Sequence, residues 1–250
     1  MSEQKNIGNI KVIICKDKQE VAQEGAKIFA KEIKTKPGIV LGLATGGTPV
    51  GMYKELIRIH KEGGLDFSHV LSFNLDEYVG LSGSHSQSYR YFMDDNLFNH
   101  INIDKTKTHV PKGISQDIPA SCQEYEKSIK EKGGVDLQLL GIGSNGHIAF
   151  DEPGSPSDSR TREVDLTEKT IKDNTRFFEN EAEVPRKAVT MGIATILEAK
   201  KIVLLATGDN KAEIVSKAIK SPATTDIPAS FLQNHPDCVF VVDQEAASGL

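Results

Sequence analysis

An apolar run passes directly into a glycine-rich turn in the stretch Ile39-Val40-Leu41-Gly42-Leu43-Ala44-Thr45-Gly46-Gly47-Thr48-Pro49. A continuous apolar run of this length is typical of a strand that is covered on both faces. Pro49 lies near the first turn of a helix predicted over residues 49–62, and Gly63 and Gly64 end that helix. A buried strand, a turn and a helix in this order form the repeating unit of α/β proteins.

The same unit recurs along the chain. Apolar runs predict five further strands, over residues 10–15, 70–75, 135–142, 202–206 and 238–242. Helical spacing of apolar residues predicts helices over residues 18–34, 88–100, 118–132, 187–200 and 210–219. Six apolar strands with helical crossovers predict a Rossmann-like α/β fold, with a mostly parallel sheet and helices on both faces. We expect a single domain over residues 1–250.

One polar, charged stretch over residues 154–186 breaks this alternation and shows no clear strand. A long excursion inside a compact α/β chain is more often a functional lid than an idle loop. We therefore predict a lid here, and a solvated surface insertion is the alternative.

The composition narrows the range of partners. Lys and Arg number 30 against 35 Asp and Glu, and a formal net charge of −5 disfavours nucleic acid as the main partner. No apolar run approaches the ~18 residues that a membrane helix needs, and the polar start does not resemble a signal peptide. The three widely spaced cysteines fit a reducing cytoplasm.

Polar segments follow four of the predicted strands, at residues 45–49, 76–78, 143–147 and 207–211. Ligands of open α/β sheets bind outside the carboxyl ends of the strands. We therefore expect the four segments to converge on one site for a small-molecule substrate. Their agreement is stronger support than any single motif.

The first and last of these segments suit an anion. The glycine turn offers backbone N–H groups and threonine hydroxyls at a helix N-terminus, although it lacks the Gly-Lys-Ser/Thr element of a P-loop. A tight turn and an ordinary surface lysine are the alternatives. The predicted phosphate ligands in these segments are Thr45, Gly46, Gly47, Thr48 and Lys211.

The segment Gly141-Ile142-Gly143-Ser144-Asn145-Gly146 matches the glycine fingerprint of dinucleotide-binding sites, and Asp165 lies near the expected acidic position. That fingerprint requires a helix directly after the glycines, whereas residues 147–153 have no helical period. A nicotinamide cofactor is therefore disfavoured. The chain also has neither a His-Glu-x-x-His motif nor a Cys/His cluster, so we predict no metal site.

The same segment is better suited to a catalytic loop. It offers an imidazole at His147 and a carboxylate at Glu152, which together can move protons near neutral pH, and Asn145 lies close by. Asp76 follows a buried strand, where a carboxylate can remove a carbon-bound proton next to a carbonyl. A helix N-cap or an ion pair with a lid arginine is the alternative role for Asp76. These residues alone leave isomerase, lactonase, deaminase and sugar-phosphate sensor open.

Three long motifs resemble the glucosamine-6-phosphate deaminase family: LGLATGGTP at residues 41–49, FNLDEY at 73–78 and GIGSNGHIAFDEP at 141–153. Shorter matches are SRTR at 159–162, TRFF at 175–178 and GDNKAE at 208–213. The resemblance extends from about residue 10 to residue 247. It implies the α/β fold already predicted and an enzyme of amino sugar catabolism.

This resemblance implies conversion of glucosamine 6-phosphate and water to fructose 6-phosphate and ammonia, without a metal or an organic cofactor. Asp76 would take the C2 proton and pass it to C1, and His147 would open the pyranose ring. Glu152 and Asn145 would orient and tune His147. The implied phosphate ligands are the backbone of Gly46, Gly47 and Thr48 and the side chains of Arg176 and Lys211.

The chain departs from some members of the resembled family. An aspartate stands there in place of Asn145, and members activated by N-acetylglucosamine 6-phosphate have a serine in place of Pro156 and a lysine in place of Val164. We expect no such activation here, and a monomer or small homo-oligomer. The rival interpretations are a 6-phosphogluconolactonase, a galactosamine-6-phosphate deaminase and a sugar-phosphate-sensing regulator domain.

We predict that catalysis does not require a metal, because a histidine with a carboxylate partner can carry the proton transfers alone. Ammonia release should be unchanged after exhaustive chelation. Loss of activity on chelation, with recovery on adding one divalent ion, would contradict the prediction.

Overall fold

The computed structural model of the protein describes residues 2–175 and 178–250, and in these ranges the strands form two sheets. The larger sheet has eight strands in the order β1-β2-β11-β10-β7-β3-β4-β6, parallel throughout except for β1. Its strands are β1 (Glu3–Ile7), β2 (Ile10–Cys15), β3 (Val40–Leu43), β4 (Leu71–Asn74), β6 (Thr108–His109), β7 (Leu137–Leu140), β10 (Ile202–Ala206) and β11 (Cys238–Asp243). The smaller sheet is antiparallel in the order β5-β9-β8, with β5 (Asp76–Tyr78), β8 (Arg162–Asp165) and β9 (Lys187–Thr190).

The α-helices of the described ranges occur between the strands along the chain. They are α1 (Lys18–Thr35), α2 (Gly47–Gly63), α3 (Tyr89–Asn96), α4 (Ile118–Glu131), α5 (Glu168–Asn174), α6 (Ile193–Leu197) and α7 (Ala212–Lys220). The Asp17 carboxylate caps α1 by accepting from the amides of Gln19 and Glu20, and Gly64 ends α2 in the left-handed conformation. None of the helices in the described ranges is long and apolar enough to cross a membrane.

The predicted α/β architecture is confirmed. The six predicted strands are the six central strands of the larger sheet, and their side chains contribute a large part of one buried apolar cluster. Strand β3 is buried at every position, as its uninterrupted apolar run predicts. Helix α2 begins at Gly47 rather than at Pro49, so the glycine turn itself forms the helix N-terminus.

The helix predicted over residues 187–200 is wrong. Residues 187–190 form strand β9, which pairs with both β5 and β8, and only α6 is helical in this range. Over so short a run, the apolar residues fit the period of a helix and that of a strand equally well. Residues 187–190 form a strand because they pair with β5 on one edge and with β8 on the other. Gly192 separates the two elements, and a Cβ atom there would lie 2.2 Å from the carbonyl oxygen of Ser159.

The predicted lid has more regular structure than its sequence indicated. Strand β8 lies within it, and so does helix α5. A second apolar cluster, which includes Tyr78, Phe150 and Ile171, packs this part of the chain against β5. Strand β8 was not predicted, because its sequence Arg-Glu-Val-Asp is mostly charged and its side chains are only half-buried or exposed.

We expect Gly192→Ala to destabilise the protein by about 1–3 kcal/mol, because the new methyl group collides with backbone that cannot rotate away. The matched control is Gly38→Ala, since a Cβ atom at Gly38 would have no neighbour within 4 Å. Urea denaturation measures both. Equal unfolding midpoints for the two variants would contradict the close approach of Gly192 to the backbone of Ser159.

Candidate active site

The candidate site lies where the strand order of the larger sheet reverses. Strand β3 pairs with β4 on one side and β7 on the other, and the chain leaves β3 and β7 in opposite directions across the sheet. Such a switch point opens a crevice at the carboxyl ends of the two strands. The glycine turn after β3 and the histidine loop after β7 therefore face each other across this crevice.

The glycine turn presents backbone donors. Gly46 has a φ angle of 97°, which favours glycine, and it precedes the first residue of α2 without any side-chain cap. The first amides of α2 are consequently not capped by a side chain of the N-cap residue, and the helix dipole adds positive potential there. The Tyr89 ring, at the start of α3, packs against Tyr78 with the ring centroids 4.8 Å apart. This geometry suits an anion at residues 45–48.

Asp76 begins strand β5 and is 6% exposed. Burial raises the pKa of its carboxyl group well above the usual value, and the nearby charges of Glu77 and Asp151 raise it further. A carboxylate with a raised pKa is a better proton acceptor near neutral pH than an ordinary aspartate. Asp76 therefore has the electrostatic properties of a general base.

The neighbouring Glu77 is not equivalent to Asp76. Its carboxylate accepts hydrogen bonds from the backbone amides of Tyr78, Tyr89 and Arg90, at 2.8–3.0 Å. These bonds join β5 to the first turn of α3, and they occupy both oxygens. Glu77 is therefore a structural residue, which leaves Asp76 as the candidate base at this strand end.

The histidine loop is built on glycines. A Cβ atom at Gly143 would lie 2.2 Å from the His147 ring, so only glycine lets the imidazole fold back over the loop. Gly146 has a φ angle of 88°, and Ala149 has a φ angle of 52°. No helix follows these glycines within the described chain until residue 168. The strand–turn–helix context of a dinucleotide site is thus absent from this loop.

A hydrogen-bonded bridge connects the three predicted residues of this loop. The Asn145 amide nitrogen donates to Glu152 Oε2 at 2.6 Å, and His147 Nδ1 lies 2.7 Å from Asn145 Oδ1. Because a carboxylate only accepts, the Asn145 amide group must face Glu152, and its oxygen must face His147. His147 Nδ1 therefore carries a proton, and Nε2 of the neutral ring is left to accept one.

Glu152 is held ionised in this bridge. Burial acts to raise the pKa of its carboxyl group, but the adjacent His147 ring and hydrogen bonds from Thr170 and Asn145 lower it to about 2. The Thr170 hydroxyl belongs to helix α5 in the lid. Sequence reasoning missed Thr170, because nothing in its local pattern indicates a contact with a loop 18 residues away.

Lys211 also reaches the histidine loop, where its Nζ atom donates to the carbonyl oxygen of Ile142 at 2.8 Å. The turn that precedes Lys211 is held by β11, because the Asp243 carboxylate accepts hydrogen bonds from the backbone amides of Gly208 and Ala246. The structure thus brings Lys211 to the same crevice as the histidine loop. Arg176, the other predicted phosphate ligand, lies outside the described residues.

No group of three or more His, Cys, Asp and Glu side chains within residues 2–175 and 178–250 is arranged to hold a metal ion. The groups at the carboxyl ends of these strands are a buried carboxylic acid, an imidazole, and the backbone N–H groups at the start of α2. This combination suits an α/β enzyme that moves protons on a small anionic substrate.

The comparisons with known proteins identify the family. The sequence profile of the glucosamine-6-phosphate isomerases/6-phosphogluconolactonase family matches residues 16–240. Glucosamine-6-phosphate deaminases of Thermoanaerobacter pseudethanolicus and Clostridium perfringens are each 55% identical to the chain, covering 96% and 95% of it and 94% and 98% of their own lengths. The chain belongs to this family.

Solved structures agree with this assignment. A monomeric glucosamine-6-phosphate deaminase superposes with a TM-score of 0.94 at 46% identity, covering 96% of this chain and 99% of its own. The 6-phosphogluconolactonase of Trypanosoma brucei superposes with a TM-score of 0.74 at 20% identity, covering 96% and 98%. At that identity the likeness to the lactonase concerns the fold alone.

We predict that Glu152 makes stability depend on pH in the acid range. Its pKa falls from an ordinary value of 4.5 to about 2 on folding, so its charge stabilises the protein fully above pH 4.5 and progressively less as the pH falls toward 2. Glu152→Gln should lose up to about 3 kcal/mol at pH 6 and less at pH 3.

Urea denaturation of both proteins across this pH range gives the difference curve. Glu213→Gln is the matched control, because Glu213 pairs with Lys217 on an exposed helix face and should contribute little. A difference between wild type and Glu152→Gln that stays constant from pH 6 to pH 3 would contradict the prediction.

Proposed function

We propose that this protein is a glucosamine-6-phosphate deaminase, which converts glucosamine 6-phosphate and water to fructose 6-phosphate and ammonia. The observation that carries the proposal is the bridge from Glu152 through Asn145 to His147, which leaves His147 Nε2 ready to move a proton. The relatives at 53–55% identity over almost the whole chain support the same activity.

Ring opening is assigned to His147. The step moves a proton from the C1 hydroxyl to the ring oxygen, so it needs a group that accepts and then donates at one position. Nε2 of His147 can do both, because the ionised Glu152 stabilises the transient imidazolium. The two groups are near each other, since His147 Nδ1 lies 3.6 Å from Glu152 Oε2.

Proton transfer from C2 to C1 is assigned to Asp76. Removal of the C2 proton from the open-chain aldehyde gives an enolamine, and return of the proton to C1 gives an imine at C2. Water adds to this imine and ammonia leaves, which yields the ketose. The raised pKa of Asp76 suits both halves of the transfer, because the same group must take up and release the proton.

The phosphate is assigned to the backbone of residues 46–48 at the start of α2, together with Lys211 and Arg176. Holding the phosphate fixes the far end of the substrate, and this places C2 against Asp76 in a reactive geometry.

We further infer that residues 1–250 act as one domain, as a monomer or a small homo-oligomer, in the cytoplasm. The structural relative with a TM-score of 0.94 is described as monomeric. All three cysteines are buried and free, which fits a reducing compartment.

Asp76→Asn and His147→Gln should fail at different steps. Asp76→Asn keeps the shape but removes the base, so both ammonia release and exchange of the C2 proton with deuterated water should fall about a hundredfold or more. His147→Gln should slow entry from the closed ring by a similar factor, while an open-chain substrate analogue loses much less. NMR of the C2 proton and an ammonia-coupled assay measure these steps.

The matched controls are Asp95→Asn and His69→Gln, because both residues are exposed and lie outside the crevice. The assay is run with glucosamine 6-phosphate, galactosamine 6-phosphate and 6-phosphogluconolactone, which separates the proposed function from its rivals. Wild-type exchange of the C2 proton in Asp76→Asn would remove Asp76 as the base.

A further inference from the structure

A fully buried carboxylate in the histidine loop has no part in the mechanism above. Asp151 is 0% exposed, and it lies in the chain directly before Glu152. Its compensating charge is Arg162, whose Nη1 lies 2.8 Å from Asp151 Oδ1. Neither oxygen of Asp151 accepts a well-directed hydrogen bond from the described residues. The ionised form of Asp151 therefore depends on this guanidinium.

Arg162 is held in place from the body of the protein. It begins strand β8, and the preceding Thr161 donates both its amide and its hydroxyl to the Glu126 carboxylate of α4. The guanidinium also contacts Ser155 Oγ through Nη2 at 3.3 Å. The guanidinium group that faces Asp151 is thus anchored beside α4 through Thr161 and contacts Ser155.

The strand register places Arg162 in one row with the proposed base. Arg162 of β8 lies opposite Thr190 of β9, and Thr190 lies opposite Asp76 of β5. Directly opposed residues in a sheet share one face, so these three side chains form a continuous row. The Thr190 hydroxyl accepts from the Phe150 amide at 3.1 Å. The row therefore contacts the histidine loop at two successive residues, 150 and 151.

We propose that Asp151 and Arg162 are positioning residues for the deamination. Their buried ion pair holds the loop that carries His147 and Glu152 at a fixed position relative to the row of side chains that contains Asp76. The proposal rests on the proposed function. Neither residue transfers a proton. The pair keeps the proposed base, which lies in β5 of the smaller sheet, and the ring-opening histidine, which lies on the loop after β7 of the larger sheet, at a fixed separation.

The pair also shapes the charge around Asp76. Burial raises the pKa of Asp151 to about 7, against the lowering effect of Arg162. In its ionised form Asp151 raises the pKa of Asp76, so its removal should make Asp76 easier to ionise. The other titratable groups that act on or respond to Asp76 come from β5, α2, α3 and α4. They are Glu77, Tyr78, Tyr53, Tyr89 and Tyr125. The titratable and charged groups that face Asp151 are Asp76, Arg162 and His147.

The test is a double-mutant cycle of Asp151→Asn and Arg162→Met with glucosamine 6-phosphate. Each single variant should lose about tenfold or more in kcat, with KM within about twofold of wild type, because the phosphate ligands are untouched. The double variant should be no worse than the poorer single variant, since the pair acts as a unit. In Asp151→Asn the acid limb of the kcat/KM profile should move to lower pH.

Lys187→Met is the matched control, because Lys187 pairs with Glu163 across β8 and β9 on the same small sheet but is half-exposed. It should keep wild-type kcat and an unchanged pH profile. If Arg162→Met does not fold, Asp151→Asn and the double variant decide, since neither contains a buried unpaired carboxylate. Circular dichroism and thermal melting establish folding.

Wild-type kcat in Asp151→Asn, an unmoved acid limb, or losses that multiply in the double variant would each overturn the positioning role. Failure of the proposed function is distinguishable, because the wild-type protein would then release no ammonia from glucosamine 6-phosphate. An active wild type with unaffected variants rejects only the role of Asp151 and Arg162.

Discussion

Leu75 joins the two sheets, and the position of the proposed base depends on this one residue. Its amide donates to the carbonyl oxygen of Leu43 in β3 at 3.1 Å, and its carbonyl oxygen accepts from the amide of Met191 at 2.7 Å. Strand β4 ends at Asn74 in the larger sheet, and β5 begins at Asp76 in the smaller one. Backbone hydrogen bonds on both sides of Leu75 therefore fix the position of Asp76 relative to both sheets.

The site places two carboxyl groups in opposite electrostatic environments. Asp76 has lost water and faces other acids, so its pKa is raised. Glu152 accepts hydrogen bonds from Asn145 and Thr170 and lies beside the His147 ring, and its pKa is about 2. Groups whose environments push their pKa values apart can divide acid and base roles at one pH. In the proposed mechanism, Asp76 exchanges a proton with carbon, and Glu152 remains an anion that supports the imidazolium.

The central sheet was predictable because its strands are buried on both faces, which leaves an unbroken apolar signal such as residues 39–44. The site residues after those strands were predictable from the same logic, since strand ends of a parallel sheet meet at one edge. The small sheet was not predictable. Strand β8 is mostly charged, β9 is too short to separate strand from helix, and the contacts of Thr170 and Arg162 connect distant segments.

Asn145 is a neutral residue at a position where a second carboxylate would interfere with Glu152. Its amide donates to Glu152 and accepts from His147, so it satisfies both neighbours at once. An aspartate at this position could accept from His147 but could not donate to Glu152, and two carboxylates would then repel each other. With asparagine, Glu152 stays ionised beside His147 without a competing anion. The amide orientation also fixes the histidine tautomer, so hydrogen bonding rather than added charge prepares Nε2 for ring opening.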